Sequence, residues 1–102
     1  MSKMILTINF KFDMSVPELA EAFAGLAPKY AEVPGLEWKV WSLNAEESEF
    51  CGIYLFTNEG FLNDLLNSEL TKMVVNYPGL SDFSVKQFGV VDEFSKITRA
   101  PI

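Results

Sequence analysis

The chain has 102 residues, 49% of them hydrophobic and 22% charged, which is the composition of one globular domain spanning 1–102 and not of a disordered or membrane protein. Its formal net charge is −6 and its eight Lys and Arg residues are scattered, so no basic stripe is present to bind nucleic acid. It contains no histidine, which excludes Ser-His-Asp and Cys-His catalysis, His-ligated haem and the usual zinc sites.

The first predicted element is a strand from Met4 to Phe12. Its apolar residues alternate with a second, mostly polar set that includes Thr7 and Asn9, as in a strand with one buried face. The chain enters this strand almost at once, without the apolar segment and cleavage site of a signal peptide, and Cys51 is its only cysteine. We therefore expect a cytoplasmic protein with no internal disulfide.

A helix is predicted to follow, beginning at Ser15. The run Ser15-Val16-Pro17-Glu18 has the form of a capping box, with a serine N-cap, a glutamate three residues on and a proline where the first turn tolerates it. Apolar residues then recur at helical spacing and form one stripe for packing on a sheet. The stripe consists of Val16, Leu19, Ala20, Phe23, Leu26, Ala27 and Tyr30. Pro28 is expected to bend the helix, and Pro34-Gly35 to end it.

The central feature of the sequence is a predicted β-hairpin that holds both tryptophans. Its strands lie in 34–41 and 52–57, and an acidic connection joins them. Alternation gives each strand one purely apolar face and one face that mixes aromatic with polar side chains. The apolar set, predicted to face the helices, is Leu36, Trp38, Val40, Ile53 and Leu55. The mixed set, predicted to face away from them, includes Lys39, Trp41, Tyr54 and Phe56.

A second helix and a last strand complete the predicted order. Thr57-Asn58-Glu59 is expected to cap the helix, and the strand is predicted to span 82–91. On that strand Lys86 and Phe88 are predicted to lie on the face away from the helices. Residues 92–102 form a C-terminal tail of the single domain.

The order β-α-β-β-α-β is that of the ferredoxin-like α+β fold, a four-stranded antiparallel sheet with two helices on one face. Four aromatic residues on the other face would give a larger apolar patch than a soluble monomer usually exposes. They are Trp41, Tyr54, Phe56 and Phe88. We therefore expect a homodimer in which two sheets face each other and polar residues line a cavity between them.

The hairpin motifs resemble a known family. Pro-Gly-x-x-Trp-Lys-Val-Trp at 34–41, followed by Gly-Ile-Tyr-Leu-Phe-Thr at 52–57, is similar to the YdhR-type mono-oxygenases of the dimeric α+β barrel superfamily, and the resemblance extends over nearly the whole chain. It implies a ferredoxin-like homodimer with a ligand cavity, related to small oxygenases that act on phenols or quinone precursors without metal or flavin. Relatives that degrade haem use an Asn, a Trp and a His. This chain has candidates for the first two in Asn9 and Trp41 but lacks the third.

The leading functional hypothesis is a mono-oxygenase that needs no cofactor or metal and acts with O₂ on a small electron-rich aromatic. Such chemistry requires a dry pocket, donors that stabilise a substrate anion, and area for stacking. We expect Asn9, Trp41 and Tyr54 to be the catalytic donors. Further contacts with the substrate are expected from Thr7, Lys39, Phe56, Lys86 and Phe88.

Less specific interpretations fit the same residues. Trp41 and Tyr54 also suit packing at a dimer interface, and Asn9 could satisfy a neighbouring polar group inside the barrel. Lys39 and Lys86 could be solvated at the barrel ends. The cavity could also bind or sense an aromatic metabolite without reaction, or host lyase, isomerase or cyclase chemistry on a polyketide-like substrate, because one fold serves many reactions.

Overall fold

The computed structural model describes residues 2–102 and confirms the predicted fold. Its elements in chain order are β1 Met4–Phe12, α1 Val16–Ala31, β2 Leu36–Asn44, β3 Glu49–Phe56, α2 Glu59–Leu66, α3 Glu69–Val75, β4 Leu80–Gly89 and α4 Asp92–Ile97. The strands form one antiparallel sheet in the order β2-β3-β1-β4, and α1, α2 and α3 lie on one face of it. This is the ferredoxin-like arrangement. Within 2–102, no helix is both long and apolar enough to span a membrane.

Two predicted helix starts are confirmed. The Glu18 backbone N–H donates to the Ser15 hydroxyl at 3.2 Å, and the Ser15 backbone N–H donates to the Glu18 carboxylate at 3.0 Å, so the capping box is present. The Asn58 side chain caps α2 in a similar way, by accepting from the Phe61 backbone N–H at 3.1 Å. Each cap fixes the residue at which its helix begins.

The predicted second helix is in fact two helices. α2 ends at Leu66, and the Ser68 hydroxyl accepts from the Thr71 backbone N–H at 3.3 Å, which caps α3. A serine just beyond the end of α2 offers the backbone a competing hydrogen bond, which the apolar pattern alone does not reveal. No residue of α3 is buried, so α3 is held less firmly than α1 or α2.

The orientations predicted for the first and last strands in the chain, β1 and β4, are confirmed. On β1, Leu6, Ile8 and Phe10 are buried beneath the helices. Phe83 of β4 packs on Phe10 with ring centroids 5.2 Å apart, which places Phe83 on the same side. We call the side without α1, α2 and α3 the open face. It carries the alternate residues of β1, including Thr7, and the residues paired with them.

The faces predicted for the hairpin are wrong, except at Leu36, which packs on the helix-side core as predicted. Trp41 packs on Phe23 of α1 with ring centroids 4.9 Å apart, and Tyr54 and Phe56 are buried in the core beneath the helices. The Lys39 amine lies over the ring of Tyr30, also on the helix side. Conversely, four residues predicted to face the helices lie on the open face, where they pair with one another and with β1. These are Trp38, Val40, Ile53 and Leu55.

A register shift explains the inversion on β2. Leu36 pairs with Phe56 but Trp38 pairs with Leu55, so Glu37 is an extra residue and every later residue of β2 changes face. On β3 both alternating sets are apolar, so alternation alone could not decide between them. The set with the large aromatic rings faces the helices, where these rings fill the space beneath α1.

The C-terminal tail crosses the open face at one end of the sheet. After α4, the Pro101 carbonyl accepts a hydrogen bond from the Trp38 indole N–H at 2.9 Å. Leu55, which pairs with Trp38, is fully buried although it lies on the open face. Phe94 and Ile97 of α4 remain 65% and 70% exposed.

Candidate active site

An apolar cavity lies between the helix side of the sheet and the helices α1 and α3. Its volume is about 40 Å³, enough for roughly two or three water molecules. All four strands contribute to its walls, and most of the lining side chains are aliphatic or aromatic. The polar groups of the wall are the Lys39 amine, the Trp41 indole and the hydroxyls of Tyr30, Tyr54, Thr71 and Tyr77.

Trp41 is enclosed by aromatic rings from two elements. Its ring centroid lies 4.9 Å from that of Phe23 and 5.6 Å from that of Tyr30, both on α1, and 6.1 Å from that of Phe50 on β3. These tilted and edge-on contacts fix the orientation of the indole. Of the two indole N–H groups in residues 2–102, that of Trp38 donates to a protein acceptor and that of Trp41 does not.

Lys39 is the one cation in the described cavity wall. Its Nζ lies 3.4 Å from the ring centroid of Tyr30, 3.5 Å from that of Trp41 and 4.7 Å from that of Tyr54. The ion pairs found within residues 2–102 do not include Lys39. Burial lowers the pKa of its ammonium group from 10.5 to about 7, although the ring faces attract the cation and oppose that shift. Amine and ammonium are therefore both available near neutral pH.

Tyr30 and Tyr54 bring two phenols to the cavity wall. Their ring centroids are 5.9 Å apart, and the side chains are almost completely buried. Burial raises the pKa of both phenols, and the neighbouring Tyr30 raises that of Tyr54 further, so both remain protonated donors. Gly52 makes room for Tyr54, because a Cβ at this position would lie 3.3 Å from the Tyr54 hydroxyl oxygen.

The structure divides the predicted site residues between the two sides of the sheet. Lys39, Trp41 and Tyr54 come together around the cavity. Phe56 lies on the same side but is fully buried beside Tyr54, with ring centroids 6.2 Å apart, and does not line the cavity. The other predicted contacts lie on the open face, so the expectation of one shared surface is wrong. They are Thr7, Asn9, Lys86 and Phe88.

Sequence reasoning missed the part of the wall that α1 supplies. The helical pattern predicts Phe23 and Tyr30 as residues that pack on the sheet, and it assigns them no role in a site. A signal was present, because a tyrosine in an inward-facing stripe brings a hydroxyl that needs a polar partner. Tyr30 is that residue, and its ring faces the Lys39 amine.

Asn9 lies in a polar corner of the open face. It pairs with Cys51 of β3 and Ser84 of β4, and its Oδ1 is buried without a hydrogen-bond partner in residues 2–102. Burial raises the pKa of the Cys51 thiol, so this neighbour is a neutral thiol and not a thiolate nucleophile. A buried amide oxygen normally has a donor, and here none comes from the described part of the chain.

The family comparison agrees with the resemblance seen in the hairpin. Residues 5–101 match the family described as "Putative mono-oxygenase ydhR". This match covers both hairpin motifs, α1 and the last strand. No curated protein sequence matches the chain significantly.

Solved structures share the fold at low sequence identity. The NE2512 protein of Nitrosomonas europaea is 18% identical with a TM-score of 0.73, over 89% of this chain and 91% of that chain. SnoaB of Streptomyces nogalater, described as a cofactor-independent oxygenase, is 15% identical with a TM-score of 0.72, over 88% and 94%. A protein of Deinococcus radiodurans described as a "putative antibiotic biosynthesis monooxygenase" is 12% identical with a TM-score of 0.70, over 85% and 91%. At these identities the likeness establishes the fold alone.

Proposed function

We propose that this chain, which belongs to the ydhR family, transfers one oxygen atom of O₂ to a small electron-rich aromatic without a cofactor, in the cavity beneath α1. The composition of the cavity wall carries this proposal. An apolar, ring-lined space presents a few polar groups, chiefly those of Lys39, Trp41 and Tyr54. Such a wall suits a flat aromatic, because rings stack on it and polar groups select its oxygen substituents.

In this reaction the substrate is its own reductant. A phenolic or enolic aromatic loses a proton, and the resulting anion transfers electrons from carbon to O₂ and forms a C–O bond. Loss of water from the hydroperoxide converts a ring CH₂ to C=O, so one oxygen atom enters the product, the other leaves in water, and the substrate supplies all four electrons. The protein supplies a dry space and hydrogen bonds from Trp41 and Tyr54 to the developing oxyanion.

The cavity has to widen before an aromatic ring can enter. Its outer rim includes Val75, Tyr77 and Val85, each more than a third exposed. Val75 belongs to α3, which has no buried residue. Moving α3 therefore exposes less buried apolar surface than moving α1 or α2 would. We expect the substrate to enter past α3.

Oxygen consumption tests the proposal. An electrode assay on a panel of anthrones, hydroquinones and polyphenols should show uptake above the uncatalysed rate. Trp41→Phe removes the indole N–H and keeps a ring, and it should lower kcat by about tenfold. Trp38→Phe makes the same change on the same strand but on the open face, and it should leave the rate nearly unchanged. No uptake with any substrate, or an equal loss in both variants, would contradict the proposal.

We further propose that a second copy of the chain covers the open face. Val40 and Phe88 are 48% and 49% exposed on the two edge strands, and Ile5 and Ile53 lie on the strands between them. A two-fold contact of sheet on sheet would remove these apolar side chains from water.

Sedimentation tests the second copy. At micromolar concentration the wild type should be a dimer, and Val40→Asp and Phe88→Asp should each shift it towards the monomer, because a carboxylate would lose its hydration in an apolar interface. Val16→Asp is the control, since Val16 is also an exposed apolar residue but lies on α1. A monomeric wild type, or a dimer that tolerates both open-face changes, would refute the contact.

A further inference from the structure

Lys39 occupies an unusual position for a lysine. Most lysines extend their amine into water, but the Lys39 Nζ lies against two aromatic rings in the cavity, 3.4 Å from the centroid of Tyr30 and 3.5 Å from that of Trp41. The titratable groups that share the cavity with it are phenols, those of Tyr30 and Tyr54 close by and that of Tyr77 on the rim. Within residues 2–102, no carboxylate lines this cavity.

A salt bridge therefore does not account for Lys39. The adjacent acidic residue on β2, Glu37, forms its own ion pair with Lys3 at 2.9 Å. The cavity residues that α1, α3 and β4 contribute are all uncharged. A leucine or methionine would occupy the same apolar space without the penalty of a desolvated charge, so packing alone does not explain a lysine here.

We infer that the Lys39 amine accepts the acidic proton of a phenol or enol bound in the cavity and holds that ligand as an anion. This inference deepens the proposed function and rests on it, because oxygenation starts from such an anion. In the transfer, the O–H bond of the ligand breaks, its electron pair stays on the ligand oxygen, and an N–H bond forms on Lys39. The step consumes no oxidant.

The surroundings of Lys39 favour this transfer. Tyr30 and Trp41 present ring faces to Nζ, so the ammonium ion is stabilised without a carboxylate that would compete with the ligand anion. In the apolar cavity little water screens the attraction between the ammonium ion and that anion. Because burial holds the pKa of Lys39 near 7, uncharged amine is present to accept a proton at neutral pH. The ligand class is a small planar aromatic with one acidic hydroxyl.

A suitable probe is 4-nitrophenol, because its phenolate absorbs visible light and its neutral form does not. Its binding can be followed without any reaction with O₂. At about pH 7 the free compound is a mixture of neutral and ionised forms and part of Lys39 is uncharged amine, so binding to the wild type should raise the phenolate-to-phenol ratio by about tenfold or more. Lys39→Met should bind the neutral form, since an apolar cavity disfavours a lone anion. Lys11→Met, on the open face, should behave like the wild type.

The wild-type spectrum decides the question even if a variant folds poorly. Nitrophenol bound in its neutral form, the absence of saturable binding, or a phenolate spectrum that survives Lys39→Met would overturn the inference. Oxygenation is tested separately. Phenolate binding without O₂ uptake on any substrate would refute the proposed function and leave Lys39 as the proton acceptor of a binding site. If O₂ is consumed with a substrate of the panel but bound nitrophenol is neutral, only the role of Lys39 is refuted.

Discussion

Lys39→Met is expected to stabilise the protein at about pH 6 and to lose this advantage as the pH rises. Burial lowers the pKa of Lys39 in the native state from 10.5 to about 7. Between these values the unfolded chain binds more protons than the native state, so the stability of the wild type rises with pH. Below the native pKa the whole penalty of the buried ammonium is present, about 3 kcal/mol after allowance for its attraction to the rings. Methionine removes that penalty at every pH.

Urea unfolding from about pH 6 to about pH 9.5, followed by circular dichroism at one protein concentration, measures the effect. The difference in unfolding free energy between Lys39→Met and the wild type should be largest at the acidic end and shrink above pH 7. Lys86→Met, which removes an exposed lysine on the open face, should change stability by less than about 0.5 kcal/mol. A difference that does not vary with pH would show that the Lys39 ammonium is not desolvated in the native state.

The parts of the fold that follow from local patterns could be predicted from the sequence. Strict alternation places β1 correctly, and the capping box at Ser15 and the cap at Asn58 place the starts of α1 and α2. Each of these features depends on residues that are close together in the sequence, so no long-range information is needed. Ser68, which starts α3, carries the same kind of signal, but the continuous apolar pattern around it conceals the break.

The faces of the hairpin could not be predicted because they depend on long-range pairing. The extra residue at Glu37 is defined only by the register of β2 against β3, and a slip of one residue moves every later side chain to the other face. On β3, Ile53 and Leu55 are as apolar as the set that includes Tyr54, so burial could not be assigned from composition. Consequently Lys39, Trp41 and Tyr54, which were assigned to the face away from the helices, line a cavity beneath α1.

The pattern of the hairpin predicts which residues share a face but not which face that is. Alternation and pairing place Lys39, Trp41 and Tyr54 on one side of the sheet, and that side is the helix side. Which face it is, and that Tyr30 of α1 completes the wall, depends on how the helix packs across the hairpin. Asn9 was expected with them, but its register on β1 places it on the opposite side.

The two proposed contacts, with a small aromatic and with a second copy of the chain, lie on opposite sides of the sheet. The helix side encloses a cavity with rings, one amine and protonated phenols, which are the groups that recognise a small aromatic with oxygen substituents. The open face exposes aliphatic residues together with Phe88, and this is the surface we propose for a second copy of the chain. A change on one side should leave the other side's role intact, and this separation makes the paired tryptophan variants informative.

Tyr54→Phe is expected to lower kcat by about 100-fold with little change in KM, because it removes one buried donor to an oxyanion that develops only during the reaction. Burial raises the pKa of Tyr54, so its hydroxyl keeps its proton and donates to that oxyanion. Phenylalanine preserves the ring contacts with Tyr30 and Phe56, and the melting temperature should show that the core is intact. Ser84→Ala removes an exposed hydroxyl on the open face and should leave both kinetic constants unchanged. If Tyr54→Phe keeps the wild-type kcat, Tyr54 is only a part of the wall, and the oxyanion must take its hydrogen bond from the Trp41 indole or from Tyr30.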